Sequence, residues 1–542
     1  MNKKLHLLIL FTIVCISVFL TVVQFRIPSP PAFNADEAAF AYNAYSILKT
    51  GRDEYGTLFP LRLKSFGDYK MPLLSYLSVP FIALFGLNET GARSINVVLS
   101  AIFPIVIYYL TIELFGRKKY ALIAAFLSAT SLGLHIVARH THEAYLAALL
   151  TSSTFLFLIR YLKLPTFKSG IFLSISLLLM LFSYHPGRLF AGLFFGSAVL
   201  HIIQSRVKLN SNSTKVLFII GVVVLLFGIT DLIYKPERLK NLLFFSNPGI
   251  QLKVNELNTE GGIHPLYHPL IVGLRDITLE HINYFSPQFL IQNGDSNDRF
   301  GYKGMGLITV TEYVLFFIGL YFLFKNKEKW RYVLLFVLFF SPLSASLSWS
   351  TSSLTRNVFL LVPVSMLAAY GALNMLSEIK IKSYRIAVLL LLFGSFSFFL
   401  VFQWDFYLLH YPKRLTTIHA WQSGYKEVAE YVKSNYDKVD TFYITRDKGM
   451  PYIFMLFYLQ YPPEQYQKEA KLSAPDEYGF GQVERFDKFI FSYIDPDKPP
   501  YNSVIIGSRD QVNTVNSQYP VTMITPQGEP MFGIIKKSSK AN

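Results

Sequence analysis

The chain has 542 residues, of which 52% are hydrophobic and only 16% charged, and its formal net charge is +16. Soluble proteins carry roughly 25% charged residues, and the mean hydropathy of +0.35 points the same way, so an ordinary soluble enzyme is excluded in favour of a polytopic membrane protein. The single cysteine, Cys15, rules out an intrachain disulfide framework and a cysteine-based metal site.

Eleven apolar segments follow one another, at roughly 5–25, 92–114, 120–138, 143–159, 170–184, 189–203, 216–234, 306–324, 332–348, 357–377 and 386–403. Each reads as a transmembrane helix. The first reads as a retained helix, because its apolar stretch exceeds a signal-peptide core and no A-x-A site follows it. Alternate connections are short and basic: Lys3 and Lys4; Arg117, Lys118 and Lys119; Arg160, Lys163 and Lys168; Arg206, Lys208 and Lys215; Lys325, Lys327, Lys329 and Arg331; Lys380, Lys382 and Arg385. Only Glu328 and Glu378 are acidic there, and the rest of the chain holds acidic and basic residues in equal number. The whole excess is therefore a positive-inside signal, which removes nucleic acid as a partner. It predicts a multi-pass protein of the plasma (inner) membrane, with its N-terminus cytoplasmic and its C-terminus outside.

Under this topology residues 26–91 and 235–305 form long outer loops, and 404–542 form an outer tail. The expected division is a transmembrane domain over 1–403 and an extracytoplasmic α/β domain over 404–542. In the tail, 421–434 has helical spacing, 439–445 and 502–507 read as buried strands, and 520–535 reads as a hairpin around Gln527-Gly528. The tail carries no nucleotide-binding fingerprint.

Ionisable residues at membrane depth cost about 2.5–3.5 kcal/mol at the midplane, and here they collect at the outer turns: Arg139, His140, His142, Glu143, His185, Arg188 and Arg356. Arginine binds phosphate oxygens in bidentate fashion, so the cluster suits an anionic phosphate. Snorkelling, or pairing of Arg139 with Glu143, is the structural alternative. In the first outer loop, Asn34 can cap a helix running to about residue 49, and Glu37 completes a capping box. Asp36, one residue inside that helix, has less capping work to do, and such a carboxylate can take a proton from an attacking hydroxyl. Lys70 precedes an apolar segment; it either holds a phosphate or anchors the segment at the interface. His264 and His268 are spaced as metal ligands would be on a helix, but Pro265 and Pro269 oppose a regular helix, and no metal site is expected.

At these residues the sequence resembles the GT-C integral-membrane glycosyltransferases. It is most similar to the bacterial branch of the protein O-mannosyltransferases and their aminoarabinose-transferase relatives, glycosyltransferase family 39. The resemblance is carried by Asp36-Glu37, by Lys70, Pro72 and Tyr76, by Arg139 and Glu143, by Ser286-Pro287-Gln288-Phe289-Leu290 with Gly294 and Arg299, and by Arg356 leading into Asn357–Pro363. Met71 stands where the family has the first of two prolines, and the turn Tyr184-His185-Pro186-Gly187-Arg188 matches only loosely.

The resemblance implies a GT-C helical fold and an inverting sugar transfer from a polyprenyl-monophosphate donor to a hydroxyl on the outer face. The acceptor is a protein, lipid or glycan. It implies Asp36 as general base with Glu37 beside it, and Lys70, Arg139, Arg188 and Arg356 as holders of the lipid phosphate. Tyr76, Glu143, His185 and Arg299 are further site candidates, and no cofactor is indicated. A lipid-linked polysaccharide ligase or polymerase would share the outward positive charge. A transporter or flippase would want charges near midplanes of broken helices, and Asp231 and Glu312, near span ends, are ambiguous in this respect.

Overall fold

The apolar segments of the sequence become helices in the computed structural model, which describes residues 3–66, 68–204, 212–234, 248–348, 352–474, 481–492, 501–513 and 520–537. Arg206, Lys208, Gly67, the stretch 235–247 of the second outer loop and residues 349–351 lie outside the described residues. The chain divides into two compact units, one of Met1–Val23, Val97–Ala138 and Glu143–Tyr407, the other of Gln24–Asn96, Arg139–His142 and Leu408–Asn542.

The first unit is helical. Each of the eleven expected segments contains helix, with non-helical stretches such as 182–184, 306–309 and 341–342. Among the described residues six helices are long and apolar enough to cross a membrane, or seven if a bent pair counts as one span. That pair, Lys118–Thr130 and Leu132–Ala138, breaks by 53° at Ser131. A break inside a bilayer must satisfy the carbonyls it frees. Here Trp404 Nε1 donates to the Thr130 carbonyl at 3.1 Å, and His135 Nε2 bonds the Ala129 carbonyl at 2.9 Å. Helices Val310–Lys325 and Leu361–Glu378 meet backbone to backbone: a Cβ on Gly319 would lie 2.0 Å from the Leu367 oxygen, and one on Gly371 would lie 2.2 Å from the Leu315 oxygen. Small residues at such crossings are how membrane helices gain dispersion contact. Helix Lys382–Asp405 exposes Leu389, Leu390, Leu391, Phe393, Phe398 and Val401 along its length, as a lipid-facing helix does.

Glu312 is accounted for structurally. It closes a capping box with Thr309, whose N–H donates to Oε2 at 2.8 Å. As expected, no regular helix runs through His264 and His268: Pro269 opens the helix Pro269–Asn283, and His268 caps it by accepting from the Leu270 N–H at 3.3 Å. His264 bonds Asn258 at 2.9 Å. Among the described residues no group of three or more His, Cys, Asp or Glu is placed to hold a metal ion.

The second unit joins pieces distant in sequence. Its seven-stranded sheet has the order β4-β5-β6-β3-β7-β9-β8, with β3 Thr441–Ile444, β4 Lys471–Leu472, β5 Val483–Phe486, β6 Phe489–Phe491, β7 Ser503–Ser508, β8 Val521–Ile524 and β9 Phe532–Lys537. Strand β3 is parallel to β6 and β7, and the other pairings are antiparallel. The expected strands and the hairpin are present; its turn holds Gln527 at φ 53° and Gly528 at φ 85°. Helix Ala35–Thr50 buries Ala38, Ala41, Tyr42 and Ala44 in one core with Tyr425, Phe454, Phe486 and Phe532 from the tail. The helix's five buried alanines, Ala35, Ala38, Ala39, Ala41 and Ala44, leave room for the apolar helix Pro451–Tyr458, which is buried nearly all round. Phe33 stacks on Phe457 at 4.6 Å and Tyr425 on Phe454 at 4.1 Å. The tail and residues from the 24–96 segment therefore share a single core.

Candidate active site

In the second unit, helix Ala35–Thr50 begins as its sequence requires. The Asn34 side chain accepts from the Glu37 N–H at 3.0 Å, and Glu37 answers to the Asn34 N–H at 3.4 Å. The first amide, Ala35 N–H, is taken by Gln422 Oε1 at 3.0 Å, and Gln422 also donates to the Lys448 carbonyl at 3.0 Å. Orphan amides at a helix start need such partners, and this one comes from the tail.

Asp36 lies on the first turn and forms an ion pair with Lys70, Oδ1 to Nζ 2.7 Å; the side chains are 32% and 14% exposed. Lys70 ends the short hairpin of β1 (Leu63–Ser65) and β2 (Asp68–Lys70). Its ammonium lies 4.5 Å from the centre of the Phe66 ring and 4.9 Å from that of Phe40. The aromatic collar fixes a cation beside a partly exposed carboxylate.

Glu37 has a different place. It is fully buried and takes a bidentate pair from Arg93 at 2.8 and 2.7 Å, with the Thr141 N–H on Oε2 at 2.8 Å. With Asn34, each of its oxygens accepts twice, so Glu37 presents no open oxygen to a substrate. It ties the Asp36 helix to Arg93 and to the 139–142 turn. Arg139 is also wholly buried, with Nε on the Ser29 carbonyl at 2.8 Å and a terminal nitrogen on the Ile27 carbonyl at 3.2 Å. The sequence gives it a phosphate; the structure turns it onto backbone carbonyls of the 27–29 segment. The Tyr76 hydroxyl donates to the Pro60 carbonyl at 3.1 Å and so orders the loop before β1.

Beneath the Asp36–Lys70 pair lies a network that sequence reasoning missed. Glu54 is fully buried, accepts from the Tyr452 hydroxyl at 3.2 Å, and has one oxygen without a partner. Burial and the neighbouring Asp53 push its carboxyl up to about 8, against the opposing pull of Lys70 and Lys64. Asp53 is also raised by burial, although the Tyr55 and Thr57 N–H groups bond its Oδ1 at 3.0 and 2.8 Å. Nothing in the sequence separates Glu54 from a surface glutamate.

In the first unit, Glu143 starts helix Glu143–Lys163 and is buried, and His185 and Arg188 lie half-buried on the first turn of His185–Gln204. Arg356 lies on the short helix Leu354–Asn357, where it donates to Ser348. Three successive amides before it are held by three side chains: Ser352 N–H by Glu280 at 2.7 Å, Ser353 N–H by the Tyr284 hydroxyl at 2.9 Å, and Leu354 N–H by Asp295 at 2.6 Å. Burial pushes Asp295 up to about 7, opposed by the Asn297 and Leu354 amides that bond it and by Arg299 and Arg356. Arg299 is half-buried beside the ring of Phe300. Asp295 and Tyr284 were not legible as supports of Arg356 from the sequence.

Fold and composition thus define a multi-pass helical membrane protein. Residues 69–234 match the family described as dolichyl-phosphate-mannose-protein mannosyltransferase; this segment holds Lys70, Tyr76, Arg139, Glu143, His185 and Arg188. No curated protein matches the chain by sequence. Among solved structures, ArnT from Cupriavidus metallidurans in the apo state is 13% identical, with 98% of each chain covered and a TM-score of 0.51. The same protein bound to undecaprenyl phosphate gives 12% identity, 98% of each chain and a TM-score of 0.52. The Archaeoglobus fulgidus oligosaccharyltransferase in the apo form is 14% identical with a TM-score of 0.48; 84% of this chain matches 64% of that one. The chain thus spans less than two thirds of the length of the archaeal enzyme.

Proposed function

We propose that the protein transfers a sugar from a polyprenyl-monophosphate donor to a hydroxyl acceptor on the outer face of the membrane, with inversion. The observation that carries this reading is the Asp36–Lys70 pair, a partly exposed carboxylate and ammonium 2.7 Å apart on a helix start locked by Gln422, Glu37 and Arg93. The family match and the binding of undecaprenyl phosphate by ArnT support the donor class. The balance of basic residues supports the orientation.

In this mechanism Asp36 removes the proton of the acceptor hydroxyl, whose oxygen forms the new bond to the anomeric carbon. The bond from that carbon to the phosphate oxygen breaks, and the lipid phosphate leaves with the electron pair. Lys70 is the hinge of the step. While it pairs with Asp36 the carboxylate is a weak base. When the ammonium turns to the phosphate, Asp36 loses its counter-charge and becomes a stronger one, and the developing charge on the leaving group is neutralised. Arg188 and Arg356 keep their proposed phosphate role on the resemblance. Glu37 and Arg139 position the helix and the 27–29 segment instead.

The test is donor consumption. Protein in lipid is given polyprenyl-phosphate hexoses and a native membrane extract as acceptor, and free polyprenyl phosphate is followed by mass spectrometry. Release by wild type and none by Asp36→Asn is the expected result, with both proteins equally folded. Equal release by the two would remove Asp36 as the base; release by neither would remove the donor class.

A further inference from the structure

At one end of the first unit, helix Lys3–Val22, the turn before helix Lys118–Thr130 and the last turns of Leu361–Glu378 surround a cavity of about 590 Å³. Three consecutive cations line it, Arg117, Lys118 and Lys119, together with His6, Tyr120 and Ser377. No carboxylate does. Three other basic residues of the unit are neutralised: Arg160 and Lys163 share Glu113 at 3.0 and 2.9 Å, and Lys325 pairs with Glu378 at 2.9 Å. Among the described residues Arg117, Lys118 and Lys119 make no ion pair. Arg117 is preset, with its guanidinium over the Tyr120 ring and a 3.1 Å bond to the hydroxyl. The ring is fixed in turn, buried against Phe115 and Tyr370. The helix that starts at Lys118 has no side-chain cap, so its first amides are open donors.

A second feature says what kind of anion fits. An apolar groove of about 410 Å³ runs along the same two helices, lined by Leu8, Ile9, Ile13, Ile16, Leu122 and Phe126 among others. From His6 to Ile16 a helix rises about 15 Å, which is half the roughly 30 Å hydrocarbon thickness of a bilayer and so the depth of one leaflet. A basic head pocket followed by a leaflet-deep apolar groove is the shape of an amphiphile.

We propose that this cavity and groove bind an anionic phospholipid of the cytoplasmic leaflet, its phosphate on Arg117, Lys118 and Lys119 and one acyl chain between the two helices. The positive-inside reading puts these residues at the anionic face, where basic pockets between helices take lipid headgroups.

The test uses the full chain in nanodiscs of phosphatidylcholine containing phosphatidylglycerol, with lipid retained after detergent exchange counted by native mass spectrometry. Lys118→Gln/Lys119→Gln should weaken phosphatidylglycerol retention about 25-fold, at about fivefold per charge removed. Thr12→Trp, which fills the groove, should weaken it without touching the charges. Lys327→Gln/Lys329→Gln, which removes two exposed charges elsewhere in the unit, should leave it unchanged. Inorganic phosphate at millimolar concentration should fail to displace the lipid. Equal losses in both double variants would reduce the site to bulk surface charge and overturn the proposal. So would displacement by phosphate together with an unaltered Thr12→Trp variant, which would mark a free-phosphate site.

Discussion

Glu54 gives the sharpest test of the second unit, through Glu54→Gln. The carboxyl is fully buried, and its value of about 8 lies well above the 4.5 of the exposed group. Between those two pH values the native chain holds a proton that the unfolded chain releases. The contribution of this group to stability is therefore greatest below about 4.5, falls as pH rises through the window and levels off above 8. One bound proton corresponds to about 1.4 kcal/mol per pH unit, or roughly 3–6 °C of melting temperature per pH unit for a unit of this size. Asp53, also raised, acts in the same direction. Glutamine keeps the shape and can still accept from Tyr452, so Glu54→Gln should flatten the slope and melt higher than wild type at pH 8. Melting of the purified protein from pH 5 to pH 8, followed by intrinsic fluorescence, reads both. A variant with the wild-type slope would show that Glu54 is not held neutral in the fold, and the description of its surroundings would fail.

Two further outcomes follow from the frame around Asp36. Glu37→Gln leaves the buried Arg93 without its carboxylate, and breaking such a pair costs about 3–5 kcal/mol; the expected result is a markedly lower melting temperature with activity lost in proportion to folded protein. Unchanged melting would contradict the buried pair. Gln422→Ala removes the partner of the Ala35 amide, a cap whose loss is worth about 1 kcal/mol; turnover should fall more than donor affinity, because it is the carboxylate's aim that loosens. An affinity loss with turnover intact would move Gln422 from the helix start to the donor pocket.

Local features of this fold were readable and distant ones were not. The capping box of Asn34 and Glu37, the apolar helices and the β8–β9 hairpin depend on spacings of a few residues, which a sequence displays directly. Arg93 on Glu37, and Gln422 on Ala35 from 387 positions away, depend on tertiary packing that no periodicity records. Charge type without burial tells only half at Arg139: an arginine in that turn suits a phosphate, and the fold buries this one with bonds to the carbonyls of Ser29 and Ile27. Glu37 shows both sides, since its capping role was visible and its buried ion pair was not. Pro265 and Pro269 keep a regular helix from running through His264 and His268, as their sequence leads one to expect, and Pro269 then opens the next helix because proline lacks only the amide that a first turn does not use.

The core shared by residues 24–96 and the tail has a consequence for synthesis. The helix bearing Asp36 leaves the ribosome early, yet the aromatic residues that cover its alanine face, and the glutamine that caps it, are made only after the intervening spans. At about 5–20 residues per second that interval is on the order of a minute. During it the helix has no core to join, so the nascent protein is assembled in the membrane before it has an organised Asp36–Lys70 pair. The organised pair thus arrives last, with the C-terminal strands, and a chain stopped short of them would insert into the membrane without forming it.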